Sequence, residues 1–411
     1  MAPHVETIEV FCGTRQAGSM GVESDPVSPL EHVTFTYHPD WLDDGFTLSP
    51  DLPLRRGPQR PTLGRELFAS FEDAAPDSWG RKLLFERLRL QAVESGIHVP
   101  RLTAARGLLM VNDDTRQGAL RFHQHGRFLS GWAEEATVRD LADLASSARR
   151  FADTGHVDHR DQLLIGAGSS PGGAQPKAWV RDEDGSMQLA KFPKTSDPGD
   201  VHLWEMVAIR LQSLAGITVQ PSRLMPLGEY RNIFLTHRFD RDGDRRIPYM
   251  SMRSALQLTD GEHASYEHLA RELSLISAAP REDARELFAR AAFGAMVNNI
   301  DDHMRNHGLL HTGRGWRLAP SFDVNPSVSG YSDTPLTDRG DLVDRDIGDL
   351  LEAAGSFRLT PADAVAILRR VAQAVSHWPE EARGLGADHE TIDAWKRAFT
   401  GPNVDRALAL N

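Results

Sequence analysis

The chain has 411 residues and a net charge of −12, a size that accommodates two or three domains and a charge that excludes nucleic-acid binding through the global field of the protein. Its single cysteine, Cys12, excludes an intrachain disulfide and a cysteine-based zinc site. No apolar run is long enough to span a membrane and MAPHVETIEVF has neither a basic start nor an apolar signal core, so a reduced, cytoplasmic protein is expected.

Residues 1–130 read as a β-rich N-terminal domain with one long helix. The alternation Val33, Phe35, Tyr37 suits a half-buried strand. A helix is expected from about Pro76, with Pro in its first turn and Leu83, Leu84, Leu88 and Leu90 forming an apolar stripe. GLLMVND and GALRFH look like further strands. The acids of FEDAAPDSWGR fit a helix N-terminus better than a metal loop.

Residues 131–240 read as a small lobe. TVRDLADLASSARRF is a polar, helical connection. In LLIGAGSSPGGAQPKAWV the glycines Gly166, Gly168, Gly172 and Gly173 lie between two apolar runs. Such a turn lets backbone N–H groups close on phosphate oxygens, although a plain hairpin loop has the same composition. It is not a Walker loop, because Gln175 and Pro176 intervene before Lys177. In the strand SMQLAKFP, Met187, Leu189 and Lys191 share a face. A lysine there is costly unless paired or bound to an anion. The chain is sparing with lysine, having only Lys82, Lys177, Lys191, Lys194 and Lys396, so those retained are candidates for sites that need a compact ammonium. Glu205 follows on a helix bordering its buried side. A strand Lys paired with a helix Glu is how kinases hold the α- and β-phosphates; a surface pair of little worth is the alternative. NIFLTHRFDR is a strand leading to a hinge-like polar segment.

Residues 241–411 read as a helical catalytic lobe. YEHLARELSLI is one helix. Pro280, Glu282 and Asp283 open the next, which delivers NNIDDHMRNHG. Asp301 and Asn306 stand five positions apart, and an isolated acid, Asp323, follows in LAPSFDVNP. Phosphoryl-transfer loops space a base and a metal-binding amide this way, with a second metal-binding Asp downstream. A hydroxyl nucleophile needs a carboxylate to take its proton, and magnesium needs hard oxygen ligands. A solvated turn would draw on the same residue types. Helices are expected near Ile347–Ala354, Pro361–Trp378 (with Thr360 capping) and His389–Phe399.

The order of these elements is that of a two-lobed kinase: Gly-rich loop, strand Lys, helix Glu, hinge strand, helical lobe, Asp-x4-Asn, Asp. The fold class expected is α+β, a two-lobed protein-kinase-like fold with an extra β-rich N-terminal domain and an all-helical C-terminal lobe. AQPKAWV, LAKFP, HRFDR, NNIDDHMRNHG and LAPSFDVNP together resemble the HipA-type serine/threonine kinases, the toxin halves of bacterial toxin–antitoxin pairs, and TFTYHPDWL and GALRF resemble the N-terminal domain of full-length members. The resemblance implies ATP and Mg2+, with Asp301 as catalytic base and Asn306 and Asp323 as magnesium ligands. Lys191, supported by Glu205, would contact the α/β-phosphates. Gly172, Gly173, Ala174, Gln175, Pro176 and Lys177 would lie along the phosphates, and His237, Arg238 and Phe239 would bracket the adenine. His303, Met304, Arg305 and Asn306, together with Phe322 and Asp323, would complete the nucleotide site. Ser170, with Ser169 adjacent, falls where the family phosphorylates itself. His237 stands where some members have Glu, Arg305 replaces a common Lys, and Val follows Phe322–Asp323, so the mobile Asp-Phe-Gly switch is not assumed.

The mechanism expected is in-line transfer of the ATP γ-phosphoryl group to a protein serine. The resemblance suggests an aminoacyl-tRNA synthetase as substrate and a small HipB-like helix-turn-helix antitoxin as partner, with DNA reached only through the antitoxin. Two rivals stand beside it. A metallohydrolase would use Asp301, Asp302, His303 and His307, the two histidines sharing a metal if the segment is helical. An idle kinase fold would act as an antitoxin-bound corepressor.

Overall fold

A computed structural model describes residues 4–24, 31–129, 135–169, 175–228, 231–259, 261–332, 334–340 and 345–410. The chain divides into two compact units. The first combines Met1–Asp197 with Leu235–Met250, and the second combines Pro198–Phe234 with Ser251–Asn411.

In the first unit, His4–Cys12 lies between Arg15–Ser24 and Leu120–Gln124 in an antiparallel sheet completed by Glu31–Tyr37 and Arg127–Phe128. Val33, Phe35 and Tyr37 are buried, as the alternation predicts. Phe35, Phe68, Phe71 and Phe122 meet edge to face, with linked ring centroids 5.6–6.3 Å apart. Full burial of each contributes about 1.5–3 kcal/mol.

The long helix runs Ser78–Ser95. Asp77 caps it, its Oδ1 accepting from Gly80 N at 2.7 Å, so Pro76 precedes the cap and does not open the first turn. Leu83, Leu84 and Leu88 are buried beneath it, while Leu90 is only half-buried. GLLMV is not a strand: Ala104–Met110 is a helix, capped by Thr103, whose Oγ1 accepts from Arg106 N at 3.2 Å. A short apolar run does not separate the two states by periodicity, and the cap decided it.

Leu163–Gly168 likewise differs from the glycine turn expected. Asp158 and Asp161 form a capping box on a 3-10 turn, and the helix Gln162–Gly168 follows directly. Gly168 serves packing, since a Cβ there would meet Leu83 Cδ1 at 2.9 Å and the Lys177 carbonyl oxygen at 3.0 Å. Lys177–Arg181 and Met187–Lys191 then form a hairpin that sets Lys177 opposite Lys191. Asn232–His237 crosses from the second unit into the first at Leu235.

Buried charges tie distant stretches of this unit. Asp113 accepts from Arg121 at 2.6 Å and from Arg246 at 2.8 Å. Asp240 pairs with Arg238 and Arg241 and accepts from Gly118 N at 2.5 Å. Arg116, fully buried, donates to the carbonyls of Ala74, Leu108 and Val111. Burial pulls the Arg116 guanidinium down to about 9, although Asp113 works against the shift.

The second unit is mainly helical. Val201–Leu214 carries Glu205, and its buried Trp204 stacks on Trp395 at 4.7 Å. Tyr266–Ile276 and Pro280–Met296 follow, the latter opened by Pro280 with Glu282 and Asp283 in its first turn. Ile347–Glu352 continues as a 3-10 turn to Phe357. Pro361–Ser376 is capped by Thr360, and Trp378–Gly384, His389–Phe399 and Pro402–Ala409 complete the set. The unit also holds a hairpin that sequence patterning missed, Gly308–His311 with Trp316–Leu318. Among the described residues no helix is long and apolar enough to cross a membrane.

Candidate active site

The buried helix Pro280–Met296 ends at Val297, and Asn298 turns the chain out of it in the left-handed region, φ +49°. Asn298 Nδ2 donates to Ser327 O at 2.9 Å. Asn299 N donates to Gly294 O at 2.9 Å, and Asn299 Oδ1 accepts from Asn325 N at 3.2 Å. The loop is thereby bound at its root to both the helix and the segment that follows Asp323.

The two adjacent aspartates have opposite fates. Asp301 faces solvent, with its side chain 63% exposed and His303 Nε2 3.6 Å from Oδ1. Asp302 points inward and is buried. It accepts from Tyr266 OH at 2.8 Å, from Arg345 NH2 at 2.7 Å, and lies 3.1 Å from His307 Nε2. Burial alone would raise its pKa, but Arg345, His307 and Tyr266 outweigh burial and hold it down to about 2. Burial and the Asp302 charge push the Tyr266 hydroxyl well above its ordinary range. Arg345 NH1 also donates to Asn299 O at 2.9 Å, so one guanidinium pins the loop at two points.

Asn306 closes the loop on itself, its Nδ2 donating to Asp301 O at 2.9 Å. Its donor end is thus spent on the backbone of the candidate base, and the amide oxygen is the end left for a cation. Asp323 also adopts a left-handed backbone, φ +57°, and its Oδ1 accepts from Asn325 Nδ2 at 3.2 Å. A non-glycine residue held there signals that neighbouring structure over-determines the conformation. Ser321, two residues earlier, is fixed by Thr218 O at 2.8 Å and by Gln212 Nε2 at 2.9 Å. Asn306, Phe322 and Asp323 line one pocket of about 290 Å³, solvent-open space included, with Gln212 and Asn299 also on its wall. Asn306 and Asp323 thus line one cavity, and an amide with a carboxylate is a donor pair whose chemistry fits magnesium.

The remaining loop positions divide by side. His303 and Arg305 are exposed, and Met304 is buried. Met304 O and His307 O accept from Arg253 N at 3.1 Å and Met252 N at 2.7 Å. The segment is not helical, so the spacing that a shared histidine metal site required is absent. His307 is engaged by Asp302, and among the described residues no three His, Cys, Asp or Glu side chains gather as a metal site.

In the first unit, Lys191 and Lys177 are both buried. Gln175 Nε2 donates to Phe192 O at 3.0 Å, and Pro176 O accepts from Phe192 N at 2.8 Å. Ser170, Gly172, Gly173 and Ala174 lie outside the described residues. His237 and Phe239 are half-buried, whereas Arg238 turns inward to Asp240 and stacks over Trp179 at 4.3 Å. In the second unit, Glu205 is buried with His202 Nδ1 3.9 Å from its Oε2. Lys191 and Glu205 thus belong to different units.

Sequence reasoning missed Tyr266, Gln212 and Arg345. Tyr266 and Gln212 carry a weak signal, a polar group on a helix face that is otherwise apolar. Arg345 carries none, because it comes from a polar stretch whose placement depends on the whole unit.

The HipA-like C-terminal domain family matches residues 169–378, and the HipA N-terminal domain family matches residues 8–105. The chain belongs to the HipA family. A curated relative from Sinorhizobium fredii (strain NBRC 101917 / NGR234), named "Putative kinase Y4mE", is 24% identical over 330 residues, 72% of this chain and 73% of that protein. Among solved structures, the chain is similar to one from the complex of the Shewanella oneidensis MR-1 toxin–antitoxin system, HipA, HipB and its operator DNA. That match has a TM-score of 0.65 and 17% identity, and covers 98% of this chain and 100% of that one. The α+β, kinase-like fold expected of a HipA protein is the fold of this chain.

Proposed function

We propose that this HipA-family chain is a protein kinase that transfers the γ-phosphoryl group of ATP to a serine hydroxyl. The observation that carries this reading is the loop 298–307: it leaves the Asp301 carboxylate in solvent, while its Asn306 lines one pocket together with Asp323. Lys191 is proposed to contact the α- and β-phosphates, with Glu205 in the role of the kinase helix acid. Gly172 to Lys177 run along the phosphates, and His237 to Phe239 contact the adenine, Arg238 through its backbone because its side chain is engaged elsewhere. Asp301 orients the substrate hydroxyl and takes its proton as the new oxygen–phosphorus bond forms and the bond from the γ-phosphorus to the β–γ bridging oxygen breaks, releasing ADP. Arg345, through Asp302 and Asn299, keeps that carboxylate in place. Magnesium, held by Asn306 and Asp323, would offset phosphoryl charge.

Ser170 is the proposed site of self-phosphorylation. The protein substrate is proposed to be an aminoacyl-tRNA synthetase. The partner is a HipB-like antitoxin that carries the DNA affinity, since this chain is acidic. Labelled ATP and magnesium, given to wild type and to Asp301→Asn, test the reading. Label on wild type alone, mapped to Ser170, is expected; an unlabelled wild type would sink the kinase.

A further inference from the structure

Lys177 and Lys191 are directly opposed in the hairpin, and both are buried. Opposed residues of an antiparallel pair project from the same face with Cβ atoms about 5 Å apart. Two ammonium groups so placed repel each other unless negative charge stands nearby. Asp77 provides some, its Oδ2 lying 3.9 Å from Lys177 Nζ, with side-chain exposures of 11% and 2%.

The approach is built, not incidental. Asp77 is fixed by its other oxygen, which caps the helix Ser78–Ser95. Trp79 Nε1 donates to Lys177 O at 3.2 Å. Gly80 is so close to Ser169 that a Cβ would meet the Ser169 carbonyl oxygen at 2.3 Å. The first turn of the helix therefore grips Ser169 and Lys177, which flank the Gly-rich stretch. Asp77 falls in the part matched by the N-terminal family and Lys177 in the part matched by the C-terminal one.

We propose that Asp77 is a positioning residue for the phosphate site: a resident counter-charge that holds the Lys177 ammonium and competes with incoming phosphate for it. This rests on the reading of the Lys177–Lys191 hairpin as the polyphosphate-binding element. Without bound phosphate, Asp77 stabilises the lysine pair. With phosphate present it competes with the ligand for the Lys177 ammonium, lowering affinity and easing product release.

Asp77→Asn separates charge from structure, because asparagine caps a helix as well as aspartate does. In the full-length protein, titration with magnesium–ATP and separately with inorganic tripolyphosphate should give Asp77→Asn about three- to tenfold tighter binding than wild type. The thermal midpoint without ligand should fall, and the ligand-induced rise should be larger. KM for ATP should drop without a gain in kcat. In a Lys177→Met background the same substitution should leave affinity unchanged, which a merely structural role would not produce. Affinities of wild type and Asp77→Asn within about twofold of each other would overturn the proposal while leaving the kinase reading intact. A wild type that binds neither ligand would overturn both.

Discussion

Two buried ionic networks, one in each unit, solve the same problem in different ways. In the first unit, Asp113 and Asp240 are surrounded by Arg116, Arg121, Arg238, Arg241 and Arg246, and the network ties residues 113–121 to residues 238–246. In the second, a single carboxylate, Asp302, has one arginine, one histidine and one tyrosine. The arginine-rich cluster joins segments of the fold. The Asp302 cluster holds a loop whose next-door carboxylate must stay wet. A buried charge costs several kcal/mol unless its partners are complete, so a network reports which part of the chain the fold cannot let move. In the first unit that part is a junction; in the second it is the floor of the candidate site.

The contrast breaks most sharply at the aspartate pair. Asp301→Asn should lower phosphoryl transfer by about 10²- to 10⁴-fold with urea unfolding unchanged, because the side chain is exposed. Asp302→Ala should cost about 3–5 kcal/mol of unfolding free energy, leaving Arg345 without its carboxylate, and should depress the rate of the folded fraction as well. Asp240→Asn still accepts from Gly118 N but loses its charge, for about 1.5–3 kcal/mol, with the rate per folded molecule unchanged. Equal rate losses in the last two variants would erase the distinction between junction and floor.

The smallest effect is in pH. The folded-state pKa of Asp302 is about 2, below its ordinary value of 3.8. A depressed carboxylate contributes stability above its unfolded pKa and loses it as pH falls through the folded one. The contribution, on the order of 2 kcal/mol, should therefore be complete above about pH 4 and fade toward pH 2. Chemical denaturation of wild type and Asp302→Asn across this range should show their difference shrinking only at the acid end.

Much of this was legible in residue order. The Val33–Phe35–Tyr37 alternation, Pro280 with its acids and the cap at Thr360 are local signals, and local physics decided them. Asp301, Asn306 and Asp323 stood out because metal and proton chemistry restrict residue type. What misled was also local: the apolar runs GLLMV and LLIG look alike as strand or helix, and the side-chain caps at Thr103 and Asp158 tipped both to helix.

The sequence by itself determined which chemical groups are present and the order in which they arrive, because periodicity, capping and ligand hardness act over a few residues. Only the tertiary structure decided which of two adjacent aspartates faces water, and that a carboxylate about a hundred residues away stands beside Lys177. Burial and electrostatic pairing depend on neighbours brought together by folding, and one-dimensional spacing does not carry them.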